Sequence, residues 1–371
     1  MTSPPRTGIP PRVALVLGGG GLKGFAHIGV LRALEERGVR PVLVAGTSIG
    51  ALIGAAYVRG RTVDDMEAHA LSLRKPDLFR INRMGMVMKR MLSPALYLEQ
   101  PLQDIIDRLV PDGTFRDLAI PLLVNTVDLE RGSQVVWGLP GLQDVRVADA
   151  VYASCALPGF FPPRVLGGRT CVDGGVMHNV PAKVASRDVD AIIAVDVGSS
   201  SLTATRRIRE KGFAAIYMRS AQVMMRSLQQ MQLASWSGRP LLLVRPPVWQ
   251  YGWFSFAHTR TMIDAGYAAA CEALDGVGET LYSSGGVFPR RQVEVSVNRE
   301  KCIGCGICAT LAPDLMRMGP GPKAEVVAGP LEWSQADGAF VNECPVKAIS
   351  VMATEPDGRR HPTMEFKVVV D

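Results

Sequence analysis

Gly46, Ser48 and Gly50 form a G-x-S-x-G pattern between an apolar run ending at Ala45 and an apolar stretch beginning at Ile49. A serine on so tight a strand-to-helix turn is held in a strained backbone that only small neighbours permit, its hydroxyl raised near a helix N-terminus. That placement suits the nucleophile of acyl transfer. Upstream, Gly19, Gly21 and Gly24 satisfy G-x-G-x-x-G between a strand and a helix. A dinucleotide site of this form needs an acid about 20 residues on for the ribose, and none stands at the end of the second strand. A P-loop needs Ser or Thr after its lysine, whereas Gly24 follows Lys23. The glycine loop then reads as backbone donors, Gly19, Gly20 and Gly21, for an oxyanion. The base for Ser48 is one of His178, His258 and His361, or a carboxylate acting alone. Asp173, followed by Gly174 and Gly175, has unhindered access to another loop, though Asp-Gly is also an ordinary turn pair.

A second chemistry lies near the end of the chain. Cys302, Cys305 and Cys308 are spaced C-x2-C-x2-C, and Cys344 precedes Pro345. Three thiolates in one loop with a distant fourth suit a cubane iron-sulfur cluster; zinc ribbons use two separated C-x2-C pairs. With one such run, all four cysteines serve one 4Fe-4S cluster. The other three of the 7 cysteines, Cys155, Cys171 and Cys271, are scattered, and an odd, clustered set points to reduced thiols in a cytosol.

The elements that position these groups follow from apolar periodicity. Strands are predicted over Val13–Leu17, Pro41–Ala45, Pro121–Val127, Gln134–Trp137 and Ala191–Val197, with Thr170–Val172 a further short run. Helices are predicted over Phe25–Arg37, Ile49–Arg59, Pro101–Leu109 and roughly Arg207–Ser235. Alternating strands and helices imply an α/β fold with a mostly parallel sheet. A chain of 371 residues has room for two domains. The expected division is a disordered tail over 1–10, a hydrolase domain over 11–289 and an iron-sulfur domain over 290–371.

Three segments in order, Gly18-Gly19-Gly20-Gly21-Leu22-Lys23-Gly24, Gly46-Thr47-Ser48-Ile49-Gly50 and Asp173-Gly174-Gly175, resemble the signatures of patatin-like phospholipases, specifically their bacterial branch. Phe25 to Leu31, Ala153 to Pro163 and Asn179-Val180-Pro181 extend the likeness, which is dense over residues 10 to 200. The resemblance implies a mostly parallel sheet flanked by helices and a Ser-Asp dyad without histidine. Ser48 would be the nucleophile, Asp173 the base, Gly19 to Gly21 the oxyanion hole, and His178 a structural neighbour. Gly18 stands where some members have Asp, and Lys23 where Arg is usual. Residues 292 to 371 resemble a single-cluster bacterial ferredoxin, a small α+β domain, through the cysteine loop, Leu311 to Asp314 and Glu343 to Ile349.

Charge separates the two parts. The chain carries +6; from Gln292 onward, eight basic residues stand against eleven acidic ones, a balance of −3 that leaves +9 before it. An excess of +6 does not indicate nucleic acid, but the basic part suits an anionic membrane surface and the acidic part a basic redox partner protein. No apolar run reaches the length of a membrane span, and the proline-rich start lacks the apolar core of a signal peptide. The expected location is the cytoplasm, peripheral to the inner face of the membrane. Two methionine-rich stretches, Met84 to Met91 and Met218 to Met231, read first as core helices and second as a lid or acyl channel touching lipid. The expected function is hydrolysis of lipid acyl esters, of phospholipase A or lysophospholipase type. The competing class is an electron-transfer protein whose hydrolase half is a docking scaffold.

Overall fold

The computed structural model describes residues 12–82, 95–110, 112–198, 207–278, 280–282, 285–334, 336–354 and 360–362. The tail expected over 1–10 and the first methionine-rich stretch lie outside them. The chain divides into two compact units, residues 1–199 with 238–285, and residues 200–237 with 286–371. The segment 200–237 is therefore grouped with the C-terminal unit, on the other side of the division from its place in the sequence-based boundary at residue 290.

In the first unit, β1 (Val13–Leu17), β2 (Leu43–Thr47), β3 (Leu122–Asp128), β4 (Ser133–Trp137), β5 (Arg164–Leu166), β6 (Arg169–Asp173), β7 (Ala191–Val195) and β8 (Leu241–Val244) share one sheet, ordered β5-β6-β3-β2-β1-β7-β8 with β4 on β3. β1, β2, β3, β7 and β8 run parallel. β1 and β7 are buried at every position, as strands covered on both faces must be. Helix α1 (Ala26–Glu36) follows β1, and α2 (Ile49–Val58), apolar on nearly all sides, follows β2 into the core.

The pairing along β3 sets up the site. β4 occupies one edge over residues 124–128. On the other edge, β2 runs parallel and ends with Thr47 opposite Asn125, while β6 runs antiparallel and ends with Asp173 opposite Thr126. Two strands thus meet tip to tip on neighbouring rungs, bringing Ser48 and Asp173 together from positions far apart in the chain.

Several predicted elements differ in extent. The strand expected over Pro41–Ala45 is Leu43–Thr47, and the helix expected over Arg207–Ser235 is Gly212–Ala234. β5, β8, the Val147–Cys155 helix and the Thr259–Asp275 helix carry no counterpart in the sequence reading. The last of these packs on α1 through two glycines. A Cβ at Gly29 would lie 1.9 Å from the Ile263 carbonyl oxygen, and one at Gly266 would lie 1.9 Å from that of Ala26. Gly29→Ala is therefore expected to destabilise the unit by about 2 kcal/mol or more. Urea unfolding checks this against Gly252→Ala, where the added methyl meets nothing within 4 Å.

The second unit holds an antiparallel sheet in the order Leu331–Ser334, Arg290–Val297, Ile349–Thr354, Arg360–Pro362, with a hairpin of Met316–Gly319 and Lys323–Val326. Its core packs Val293, Met316, Trp333, Phe340 and Val351 around Cys302, Cys308 and Cys344. Among the described residues no helix is long and apolar enough to cross a membrane.

Candidate active site and cysteine pocket

Ser48 has φ 55° and ψ −127°, the one strained turn between β2 and α2. Its neighbours must be small for measurable reasons. A Cβ at Gly46 would lie 2.6 Å from the Ala51 backbone, and one at Gly50 would lie 2.1 Å from the Leu17 carbonyl oxygen. The Ser48 amide donates to Ser154 Oγ at 2.8 Å, and that hydroxyl donates to the Asn125 carbonyl at 2.7 Å. The turn is thereby clamped to β3 and the Val147–Cys155 helix.

Asp173 and Cys155 both stand near enough to the Ser48 side chain to interact with it. Asp173 is buried, and desolvation pushes its carboxyl up to about 6 against the opposing hydrogen bonds from the Gly175 amide and Ser48. The Gly175 bond to Oδ1 is 2.8 Å. Gly174 allows this approach, since a Cβ there would meet Asn125 at 2.3 Å. Burial, and then the charge of Asp173, push the Cys155 thiol up, so it stays protonated.

The three candidate histidines are placed as follows. His178 is held by its carbonyl, which accepts from Asn125 Nδ2 at 2.7 Å and Thr47 Oγ1 at 3.3 Å. His258 stacks on Tyr251, and His361 belongs to the second unit.

The glycine loop is braced from below. The Gly18 amide donates to Val195, the Gly19 amide to the Asn179 carbonyl at 3.2 Å, and the Leu22 amide to Trp253. Asn179 Nδ2 returns a bond to the Gly19 carbonyl at 3.0 Å. Gly19, expected as an oxyanion donor, thus has its amide directed to Asn179. The Gly20 and Gly21 amides have no such acceptor among the described residues. Below the loop, neutral His27 donates from Nε2 to the Gly18 carbonyl at 2.8 Å; burial pulls its pKa down to about 4. Lys23 donates to the Gly198 carbonyl at 3.1 Å, with burial pulling its ammonium down to about 8 and Asp196 opposing that shift. Cys155, Asn179, Ser154 and Asn125 carry no role in the sequence reading. Ser154, Cys155 and Asn179 stand in segments that extend the family likeness, whereas Asn125 had no local signal.

In the second unit Cys302, Cys305, Cys308 and Cys344 line one small pocket with Val297, Ala324 and Ile349. Backbone amides aim at the sulfurs: Gly304 and Ala324 at Cys302, Ala309 at Cys308, and Ala348 at Cys344 Sγ at 3.2 Å. Gly304 and Gly306 have positive φ, giving the loop the curvature to turn its thiols inward. Among the described residues no three His, Cys, Asp or Glu side chains converge on a point that would hold a single metal ion. A cubane does not require such convergence, because each thiolate binds a different iron. Four thiols with amide donors around an apolar pocket fit that group.

The family model for patatin-like phospholipases matches residues 15–186, and that for the 4Fe-4S single cluster domain of ferredoxin I matches residues 297–351. The chain joins a patatin-like phospholipase domain to a 4Fe-4S domain. Relatives of the patatin-like part include an uncharacterized NTE family protein of Mycobacterium tuberculosis (strain ATCC 25618 / H37Rv), 36% identical over 192 residues, covering 51% of this chain and 50% of that protein. Patatin-like phospholipase domain-containing protein 6 of Mus musculus is 36% identical over 203 residues, 52% of this chain and 14% of its own length. Lysophospholipase NTE1 of Mycosarcoma maydis is 29% identical over 294 residues, 71% of this chain and 15% of its own length. The chain spans half or less of these relatives. The structure of VipD from Legionella pneumophila aligns over 72% of this chain and 67% of that one, at 15% identity and a TM-score of 0.39.

Proposed function

We propose that the patatin-like domain hydrolyses acyl esters of lipids, of the phospholipase A or lysophospholipase class, through an acyl-enzyme on Ser48. The observation that carries this reading is the pairing of the strained Ser48 turn with the buried Asp173 carboxyl, in a unit whose glycine loop leaves the Gly20 and Gly21 amides without a backbone acceptor among the described residues. Ionised Asp173 takes the proton as Ser48 Oγ attacks the ester carbonyl carbon. The carbonyl oxygen becomes the oxyanion held by the Gly20 and Gly21 N–H groups. Collapse breaks the bond to the leaving alcohol, which receives the proton from Asp173. Water then repeats the sequence on the acyl-enzyme and releases the fatty acid.

An apolar acyl group is supported by the aromatic cluster in the same unit. Phe79, Tyr97, Phe160, Phe161, Phe254 and Phe256 form a chain of ring contacts between 4.8 and 6.1 Å. Phe160 follows the helix that clamps Ser48, and Phe254 follows Trp253, whose carbonyl anchors the glycine loop.

Cys302, Cys305, Cys308 and Cys344 hold one 4Fe-4S cluster in this reading; bound there, the cluster supplies one-electron transfer and ties the small domain together. The protein acts in the cytoplasm.

Labelling with a fluorophosphonate probe tests the nucleophile: modification at Ser48, read by mass spectrometry, is the expected result. Folded protein that takes no label would leave the patatin-like half a scaffold for the iron-sulfur domain. The pH profile is a second expected outcome. Asp173 must be ionised to act as base, so kcat/KM on a soluble ester should fall as pH drops through about 6. An acid limb near the ordinary carboxylate value of about 4 would remove Asp173 from this role.

A further inference from the structure

The helix Gly212–Ala234 carries an apolar face left exposed among the described residues. Phe213, Tyr217, Met224, Leu228 and Met231 are all exposed, with Phe213 at 83% and Met231 at 65% marking its two ends. At 100° per residue these five fall within an arc of about 60°, and they extend over about 27 Å of helix. Exposed Ile216 and Val223 widen the arc on one side. Only Ser220 and Ser227 interrupt it. The inward residues, by contrast, include buried Gln229 and Leu233 and half-buried Met218 and Met225. The ordinary-core reading of this methionine stretch thus holds for one side of the helix and fails for Met224 and Met231.

Charge selects the occupant. Residues 212–234 contain no aspartate or glutamate. Exposed Arg207, Arg209 and Lys211 precede the helix, and the lone acid there, Glu210, already faces Arg207 at 4.0 Å. Half-buried Arg219 and Arg226 lie along the flank next to Ile216 and Val223. A long apolar face with an exposed basic cluster at its start and no acids within the helix is the composition of a helix lying in a membrane interface. A second copy pressed against the same face would bring together two helices that have basic residues and no acids.

We propose that the Gly212–Ala234 helix lies in the plane of an anionic phospholipid surface, with its Phe213-to-Met231 face among the acyl chains and the Arg207–Lys211 cluster among the headgroups. This rests on the lipid-hydrolase reading for its purpose, since it is where that enzyme would meet its substrate. The binding itself is measured without turnover.

The test is flotation of the full-length, cluster-loaded protein with phosphatidylcholine vesicles, with and without phosphatidylglycerol, at low and high salt. Wild type is expected to float with the anionic vesicles and to be released by salt. Phe213→Ser with Met231→Gln is expected to lower partitioning about tenfold or more, with hydrolysis of a soluble short-chain ester unchanged. Arg209→Gln with Lys211→Gln is expected to remove most of the preference for phosphatidylglycerol. Three results would overturn the proposal: wild type that does not float, a Phe213/Met231 variant that floats as wild type does, or a wild-type dimer in sedimentation velocity that this variant splits. Protein that floats through this helix yet hydrolyses no ester would sink the enzyme reading and leave the membrane helix standing.

Discussion

Ser48→Ala is expected to abolish ester hydrolysis, lowering kcat by roughly 10^4-fold or more, and Asp173→Asn is expected to cost about as much, because nucleophile and base act as one unit. The double variant should be no worse than either single one. His178→Ala should keep most of its activity in the dyad reading, and the bonds to the His178 carbonyl survive the substitution. A His178→Ala enzyme as inactive as Ser48→Ala would replace the dyad with a triad. Stability separates loss of chemistry from loss of fold. Burial raises the folded-state pKa of Asp173 above its unfolded value, so the ionised carboxylate opposes folding. That penalty is absent below about 4, grows as pH rises, and is complete above about 6. Asparagine never ionises, so Asp173→Asn should unfold at higher urea than wild type at neutral pH, by up to about 3 kcal/mol, and the advantage should shrink as pH falls to 4. An inactive Asp173→Asn that is also less stable at neutral pH would mean that the carboxylate is structural.

The groups most legible in the sequence were those whose physics is local. Gly46 and Gly50 have to be glycine because Ala51 and Leu17 leave no space for a Cβ, and that requirement prints a pattern around Ser48. Gly174 marks Asp173 in the same way, through Asn125. The cysteine loop is local too, its spacing set by the curvature that Gly304 and Gly306 provide. Cys155 and Ser154 reach the site from the end of a helix, and Asn179 reaches it through a loop crossing under the glycine turn. Their roles come from the pairing along β3, which no window of sequence contains. The same limit hid elements. The Thr259–Asp275 helix packs through Gly266 and alanines, which weaken the apolar period while permitting the close approach to α1. Four-residue β8 has no alternation to show because it is buried at every position.

The glycine loop shows how reading and structure complement each other. Sequence alone offers three equivalent donors, Gly19, Gly20 and Gly21. Hydrogen-bond accounting breaks the equivalence, since a backbone amide already directed to a carbonyl is a poor donor to a transient oxyanion. Asn179, which binds Gly19 at both its amide and its carbonyl, fixes the plane of the next peptide and so the direction of the Gly20 amide. Preorganisation of this kind is what makes an oxyanion site effective, because no reorientation is needed when charge develops.

Removing the cluster is expected to produce the second large effect, in the other unit. Cys302, Cys308 and Cys344 are part of the packed core with Val293, Phe340 and Val351, while Cys305 is exposed. In a domain this small, metal ligation supplies a large share of the folding free energy. Cys344→Ser, or anaerobic chelation of iron, should therefore unfold the sheet of Arg290–Val297 and Ile349–Thr354, lowering its amide protection by several orders of magnitude. The β1–β8 sheet, whose core contains none of these thiols, should keep its protection and its ester turnover. Hydrogen exchange read by mass spectrometry distinguishes the two sheets in one experiment, and near-native protection in the iron-free second unit would contradict the prediction. Redox state is a separate matter. Hydrolysis at Ser48 moves no electrons, and the hydroxyl, carboxylate and amides that perform it all lie within the first unit. Turnover with the cluster oxidised and then reduced by dithionite, followed by electron paramagnetic resonance, is accordingly expected to differ little. A several-fold difference would make the cluster a sensor acting on the site, whereas equal rates would leave it to stabilise its own domain and exchange electrons with a partner through the acidic C-terminal part of the chain.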